Sequence, residues 1–384
     1  MSLIRQSGYF VKQREDYSAF IPQPLPPIPP LVRDGEMDAL LSKADRALGR
    51  LDGVCSTLPN PDFFVGMYVR YEAVLSSQIE GTQSTLEDII DFEAGSPDTP
   101  KDVEEVVNYI AAMNHGLRRL RDDEFPLSLR LITEIHEKLL SGVRGAHRNP
   151  GEFRRSQNWI GPAGCTLGTA SFVPPPVPEM TGALGDLENF MHSGRDLPPL
   201  IHCAFVHAQF ETIHPFLDGN GRVGRLLITF LLCQQDILRQ PLLYLSHYFK
   251  IHRAEYYDRL MAVRRSGDWE GWVKFFLSGV ATVSLEATET ARRILALRES
   301  SRQQVTTALR NKTGALSLLE LLFDHPAVTV GFVSEKTGVS FSQAGKLCAE
   351  FEKLGLVRET TGQKRNRQFR FQGLLDAFQA HDPG

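Results

Sequence analysis

The stretch HPFLDGNGRVGR, His214 to Arg225, gathers a histidine, an acid, an amide, three glycines and two arginines in one segment of the chain. Gly219 and Gly221 open backbone conformations that other residues adopt only at a cost. Their N–H groups can converge on an anion. A helix that starts there adds its free N–H groups and positive dipole end at the same point. Arg222 and Arg225 are three apart and so neighbours on the first helical turn, where guanidinium forks suit phosphate oxygens. Asp218 is a hard oxygen ligand beside this nest, and an acid next to polyphosphate suits Mg²⁺. His214, just ahead, can take a proton from an attacking hydroxyl.

Two helices must hold this loop. Apolar spacing predicts helices over Leu200 to Ile213 and Gly221 to Gln235, and Pro215 disfavours helical geometry at His214. Further helices are expected over Gly35 to Leu51, Thr85 to Phe92, Val103 to Leu120, Ser128 to Leu140, Ala254 to Arg264 and Trp269 to Leu297. A long helix is expected to begin at the Asn60-Pro61 turn and to stop at Gly81 as a C-cap. The stretch HRNPGEFRRSQNWIGPAGCTLGTASFVPPPVPEM is rich in Gly and Pro, with β-prone pieces at Asn158 to Ile160 and Ala170 to Val173. It reads as a long loop or hairpin, and long loops in compact domains are usually functional or mobile. FIPQPLPPIPPL reads as extended chain. RESSRQQVTTALRNKTG reads as a polar bridge to a last domain near Lys312. There, helices at Leu316 to Phe323, Val330 to Thr337 and Phe341 to Leu354 precede a hairpin turning at Gly362, the pattern of a winged helix-turn-helix.

Composition narrows the class. An apolar content of 42% and a charged content of 23% are ordinary for a soluble globular protein, and 384 residues suggest two or three domains. The net charge of -4 gives no global attraction to nucleic acid. The five cysteines are dispersed and lack metal-ligand spacing. With no apolar run long enough to span a bilayer and no signal-peptide core, the expectation is a cytoplasmic protein with no membrane partner.

His214, Phe216, Asp218, Gly219, Asn220, Gly221, Arg222 and Arg225 fill every fixed position of the pattern H-x-F-x-[D/E]-G-N-G-R-x-x-R, so the segment resembles the Fic family. The resemblance implies a mainly α fold, a Fic-type helical core with a β-hairpin flap, joined here to the C-terminal winged helix-turn-helix domain. It implies a protein adenylyltransferase that moves AMP from ATP to a Ser, Thr or Tyr hydroxyl of a protein target, with pyrophosphate leaving. By that likeness His214 is the catalytic base and Asp218 binds Mg²⁺. Gly219, Asn220, Gly221, Arg222, Val223, Gly224 and Arg225 hold the nucleotide, with Arg225 on the γ-phosphate, and Phe216 anchors the loop. TLGT and SFVPP look like the Fic flap, which aligns an extended stretch of the target by strand addition. RAEYYDRL is similar to a family segment that gives Tyr256 a place in the adenine pocket. SSQIEGT, with Ser76, Glu80 and Gly81, matches the inhibitory helix [S/T]-x-x-x-E-[G/N]. It lies ahead of the core and follows PLPPIPPL, as in the subclass with an N-terminal inhibitory helix. There Glu80 would pair with Arg225 and take the place of the γ-phosphate.

The expected organisation is an N-terminal region at 1–100, a Fic core at 101–300 and a winged-helix-like domain at 312–384. Arg358, Lys364, Arg365, Arg367 and Arg370 make the wing basic, which suits weak, salt-dependent DNA contact. Lys346 and Lys353 in the recognition helix are balanced by Glu350 and Glu352, so a docking or homodimerisation role stays open. The target protein is unidentified, with self-modification among the candidates. The alternatives are an ATP-sensing DNA-binding regulator and a Fic relative that removes AMP.

Overall fold

The computed structural model describes residues 6–14, 16–56, 61–96, 99–193, 196–363 and 366–380. Asn60, Lys364 and Arg365 lie outside these. The core is built round helix α7 (Pro199–Ile213), in which every residue from Leu200 to Ile213 is buried. A helix apolar on all sides belongs in the centre of a domain. Helix α8 (Asn220–Gln234) packs against it, so the HPFLDGNG loop joins the two most buried helices. Around them lie α2 (Pro61–Ile79), α4 (Val103–Arg121), α5 (Leu129–Leu140), α6 (Val177–Ser193), α10 (Arg253–Ser266) and α11 (Trp269–Ala308). Trp272 donates to the Ala204 carbonyl at 2.8 Å and ties α11 to α7. Helix α1 (Gly35–Ser56) lies along α11.

Local chemistry sets the boundaries. Thr85 caps α3 (Leu86–Glu93) in a reciprocal box with Asp88, and Ser128 caps α5. Helix α2 stops at Ile79, and Gly81 follows with φ +99°, a left-handed turn suited to glycine. Glu80 is therefore held at the end of a fixed helix.

Several elements depart from the sequence-based expectations. A hairpin of β1 (Gly8–Lys12) and β2 (Ser18–Pro22), helix α6, the short α9 (Ser246–Ile251) and α15 (Gln372–Gln379) were not foreseen. The start of α6 hides among prolines, which a first helical turn tolerates. The expected flap hairpin is reduced to one antiparallel bridge, Ile160 to Phe172, and its tip is a short 3₁₀ turn at Leu167–Thr169. The polar stretch after Leu297 is not a bridge. It continues α11 to Ala308, because Ser301 and Val305 are buried and Gln304 donates to the Leu354 carbonyl.

Beyond α11, α12 (Lys312–Asp324), β3 (Ala327–Thr329), α13 (Val330–Thr337), α14 (Phe341–Lys353), β4 (Arg358–Glu359) and β5 (Gln368–Arg370) form a unit whose antiparallel sheet has the order β3-β5-β4. Gly362 turns with φ +63°, and the Glu359 carboxylate accepts from the Thr361 and Gly362 N–H groups. This unit sits on the core. Arg370 and Gln368 bond Asp91 of α3, and the Phe378 ring meets the edge of Tyr68 on α2 at 5.2 Å. Among the described residues no helix is long and apolar enough to cross a membrane.

Candidate active site

Helix α7 ends at His214, which takes a left-handed conformation (φ 50°, ψ 60°) ahead of Pro215. The loop carbonyls are then captured from the Gly/Pro-rich segment. Arg154 Nε donates to the His214 carbonyl at 3.1 Å, and Asn158 Nδ2 donates to the carbonyls of His214 and Phe216 at 3.0 and 2.8 Å. Arg154 is 2% exposed and also donates to the Ser156 and Pro175 carbonyls, so one guanidinium joins the loop to both sides of the flap.

From below, the fully buried Phe216 ring stacks on His136 at 3.7 Å. His136 Nδ1 accepts from the Gly151 N–H at 2.9 Å, so its Nε2 carries the proton and donates to the Asp218 carbonyl at 3.0 Å. Burial pushes this imidazole down to about 4. Asn220 closes the loop on itself: its Oδ1 accepts from the Phe216 N–H and its Nδ2 donates to the Phe216 carbonyl, both at 2.8 Å.

The loop delivers His214, Gly221 and Arg225 to one open pocket of ≈ 560 Å³, which Glu80, Tyr256 and Arg264 also line. Burial, then the Arg264 and Arg154 cations, push the His214 imidazole down to about 3, against the Glu80 charge and a backbone contact with Glu211. At neutral pH it is an unprotonated base. Arg225 is 2% exposed. Its Nε donates to Ser76 Oγ at 2.8 Å, and its Nη2 donates to the Ser76 carbonyl at 2.9 Å and to Glu80 Oε1 at 2.7 Å. A Cβ on Gly221 would overlap Glu80 Oε1, so the carboxylate rests on the N-terminal turn of α8. Burial would raise the Glu80 pKa, but the Arg225 charge and hydrogen bond outweigh it and hold the group below the usual carboxylate value.

Other residues expected at the nucleotide do not line this pocket. Arg222 is 1% exposed, with Nη1 on Glu105 at 3.2 Å and Nη2 3.6 Å from Asp218 Oδ1. Its guanidinium is committed beneath the loop. The Asn220 amide is spent on Phe216, which leaves its backbone N–H as the group free for an anion. Val223 is fully buried in the core, and Gly224 abuts Glu211, where a Cβ would overlap the carboxylate. Asp218 Oδ1 accepts from the Gly219 N–H at 2.6 Å.

Comparison with known proteins bears on this arrangement. Residues 39–118 match the Fic/DOC family N-terminal model and residues 126–232 the Fic/DOC family model. This part of the chain belongs to the Fic/DOC family. The curated "Protein adenylyltransferase Fic" of Aedes aegypti is 32% identical over 173 residues, which are 44% of this chain and 31% of that protein. Its namesake in Culex quinquefasciatus is 30% identical over the same length and shares. The matched chain thus spans 31% of these relatives. A solved Fic family protein from Desulfovibrio desulfuricans G20 shares the fold, with a TM-score of 0.58 at 18% identity over 91% of this chain and 98% of its own. A Fic domain containing signaling protein from Bacteroides thetaiotaomicron VPI-5482 gives a TM-score of 0.51 at 18% identity, over 67% of this chain and 97% of its own.

In the pocket wall, beyond the matched segment, Tyr256 is buried, donates to His207 Nε2 at 2.9 Å and stacks on Phe249 at 4.5 Å. His207 Nδ1 in turn donates to the Gly224 carbonyl at 2.9 Å. The flap is supported from the N-terminal hairpin, where Phe20 N–H donates to the Val173 carbonyl at 2.9 Å, and from Arg264, whose guanidinium lies 4.1 Å from the centre of the Phe172 ring. Sequence reasoning missed Arg154, His136, Glu105 and Glu211. Each lies in a helix or loop where its residue type is unremarkable, and only the fold brings it to the loop.

Proposed function

We propose that the chain is a protein adenylyltransferase held in check by Glu80. The observation that carries the reading is His214 lining the same pocket as Arg225 and the Gly221 turn of α8. ATP would place its phosphates at that turn, where backbone N–H groups and Arg225 attract anions. The hydroxyl oxygen of the target attacks the α-phosphorus, His214 takes the hydroxyl proton, and the bond to the β-phosphate breaks to release pyrophosphate. Positioning and charge neutralisation supply most of the acceleration in such transfers. Mg²⁺ fits the donor set. The single carboxylate of Asp218 suits an ion that takes one or two protein oxygens and completes its shell with phosphates and water. Asp218 would hold that ion, whose charge offsets that of the phosphates. The names of the relatives support the choice of AMP as the transferred group.

The Glu80 contact makes the resting state. It occupies Arg225 and the Gly221 turn together, the two features that suit the γ-phosphate. Residues 312–384 serve as a winged-helix docking module on this reading. Arg370 is engaged with Asp91 and Arg367 pairs with Glu352 at 3.1 Å, so these two cations of the wing are already partnered. The test is incubation with Mg²⁺ and ATP labelled on the α-phosphate, using Glu80→Gly protein with and without His214→Ala. The expected result is covalent label on protein that falls about 10²–10⁴-fold without the base, while ATP binding is kept. Equal labelling in both proteins overturns the assignment.

A further inference from the structure

One acid in the pocket has a buried carboxylate oxygen that no protein group donates to. Glu211 lies on α7 a turn ahead of His214, is 6% exposed and lines the pocket. Its Oε1 makes no hydrogen bond and abuts α8 at Gly224. Arg264 lines the same wall but does not neutralise it by direct pairing. Its Nη2 donates to the Glu211 backbone carbonyl at 2.9 Å, its Nε to Thr212 Oγ1 at 3.2 Å and its Nη1 to the Met261 sulfur at 3.4 Å. A buried acceptor left without a donor is uncommon in native proteins and calls for a reason. In a pocket wall, a ligand that brings the donor is such a reason.

The chemistry of a nucleotide limits which part can do so. Phosphate oxygens accept and carry negative charge, so they avoid a carboxylate. The donors of ATP are the amine on its base and the 2′- and 3′-hydroxyls of its ribose. The pocket also presents Tyr257, Leu260 and Met261 from α10, an apolar surface that suits a nucleoside better than a triphosphate. We infer that Glu211 reads the nucleoside half of the bound nucleotide, accepting a hydrogen bond from its base amine or a ribose hydroxyl. The inference rests on the proposed nucleotide site. It assigns the opposite ends of one ligand to two acids of one pocket: Glu80 competes with the phosphates, and Glu211 pairs with the nucleoside. Burial keeps the Glu211 carboxyl up at about 7, so a donor that reaches it stabilises the ionised form.

The experiment is calorimetric titration of the full Glu80→Gly chain, with Mg²⁺, against four nucleotides. These are ATP, inosine triphosphate (oxygen in place of the amine), 2′-deoxy-ATP and 3′-deoxy-ATP. At least one analogue should bind about 10-fold or more weakly than ATP, because a site built to pair a donor rejects the analogue that lacks it. The analogue that loses affinity identifies the donor. Adding Glu211→Ala should bring that ratio to within about 2-fold of unity, a change that a merely structural role would not produce. Melting curves without nucleotide establish that the variant folds, and Glu211→Met, which keeps the side-chain volume, replaces it if it does not. Ratios unchanged by the substitution, or no discrimination in the Glu80→Gly chain, overturn the inference and leave the nucleotide site standing. Failure of ATP itself to bind overturns both.

Discussion

Replacing Glu80 by glycine removes one carboxylate from Arg225, and the structure sets the size of the effect. The contact is a charge-assisted hydrogen bond of 2.7 Å to a guanidinium that is 2% exposed. Such bonds contribute about 1.5–3 kcal/mol, and every 1.4 kcal/mol or so is tenfold in affinity. An ATP that must displace Glu80 should therefore bind about 10–100-fold more tightly to Glu80→Gly. Transfer should rise at least in step, since a displaced α-phosphorus costs a further factor of about 10². On the proposed reading Arg225→Ala should have the opposite sign, because it removes the proposed phosphate ligand along with the cation that Glu80 pairs with. The pair can also be followed through pH. Glu80 titrates below its ordinary value of 4.5 in the folded chain. The ion pair therefore stabilises the fold fully above that pH, and the contribution is lost as the pH falls through the depressed folded value. A difference in melting temperature between the parent chain and Glu80→Gln should be present at pH 7 and fade below 4.5. Calorimetry with ATP and Mg²⁺ is the deciding assay. A folded Glu80→Gly protein with the parent's ATP affinity and the parent's transfer rate would refute the competition.

Two further outcomes concern the scaffold. His136→Phe keeps a ring to stack on Phe216 but abandons the Gly151 N–H and the Asp218 carbonyl, and should cost about 1–3 kcal/mol in urea unfolding; no loss would mean that the loop does not lean on those bonds. Arg370→Ala leaves Asp91, already raised in pKa mainly by burial, without its cation. It should lower the melting temperature, and adding Asp91→Ala should restore part of the loss; strictly additive effects would show that the pair does not couple the C-terminal unit to α3.

The sequence made the loop from His214 to Arg225 legible because its constraints are local. Pro215 forces the turn at His214, Gly219 and Gly221 open the backbone, and a helix must follow. The helices α3, α4, α5, α7, α8 and α13 were readable for the same reason, since apolar spacing and caps such as Thr85 and Ser128 act within a few residues. What was not readable is long-range. Arg154 looks like any arginine in a loop until the fold brings the His214, Ser156 and Pro175 carbonyls round it. Nothing local to Arg222 shows that Glu105, more than a hundred positions earlier, packs against its guanidinium. The polar end of α11 looks like a linker, because the surface that buries Ser301 and Val305 belongs to the next unit. The β1 and β2 hairpin is short and its role is to support the flap, through a contact between Phe20 and Val173 that no local pattern encodes.

The geometry at Arg225 explains why Ser76 and Glu80 occur together at a spacing of four. That spacing puts Ser76 in the last turn of α2 and Glu80 just past its end on the same side, and both accept from the same guanidinium. Ser76 takes Nε with its hydroxyl and Nη2 with its carbonyl, while Glu80 takes Nη2 from the pocket side. The two residues therefore have separable jobs. Ser76 fixes the direction of Arg225 whether or not Glu80 is engaged, and Glu80, which is 32% exposed at its side chain, occupies the face on which an anion would arrive. Arg225 need not swing for the site to open; the carboxylate has only to leave. Because Gly81 ends the helix at once, that departure can be a rotation of one side chain at a helix end, with α2 still packed in the core through Tyr68 and Tyr71. This is the physical reason to expect Glu80→Gly to open the phosphate site while the fold and the placement of Arg225 persist.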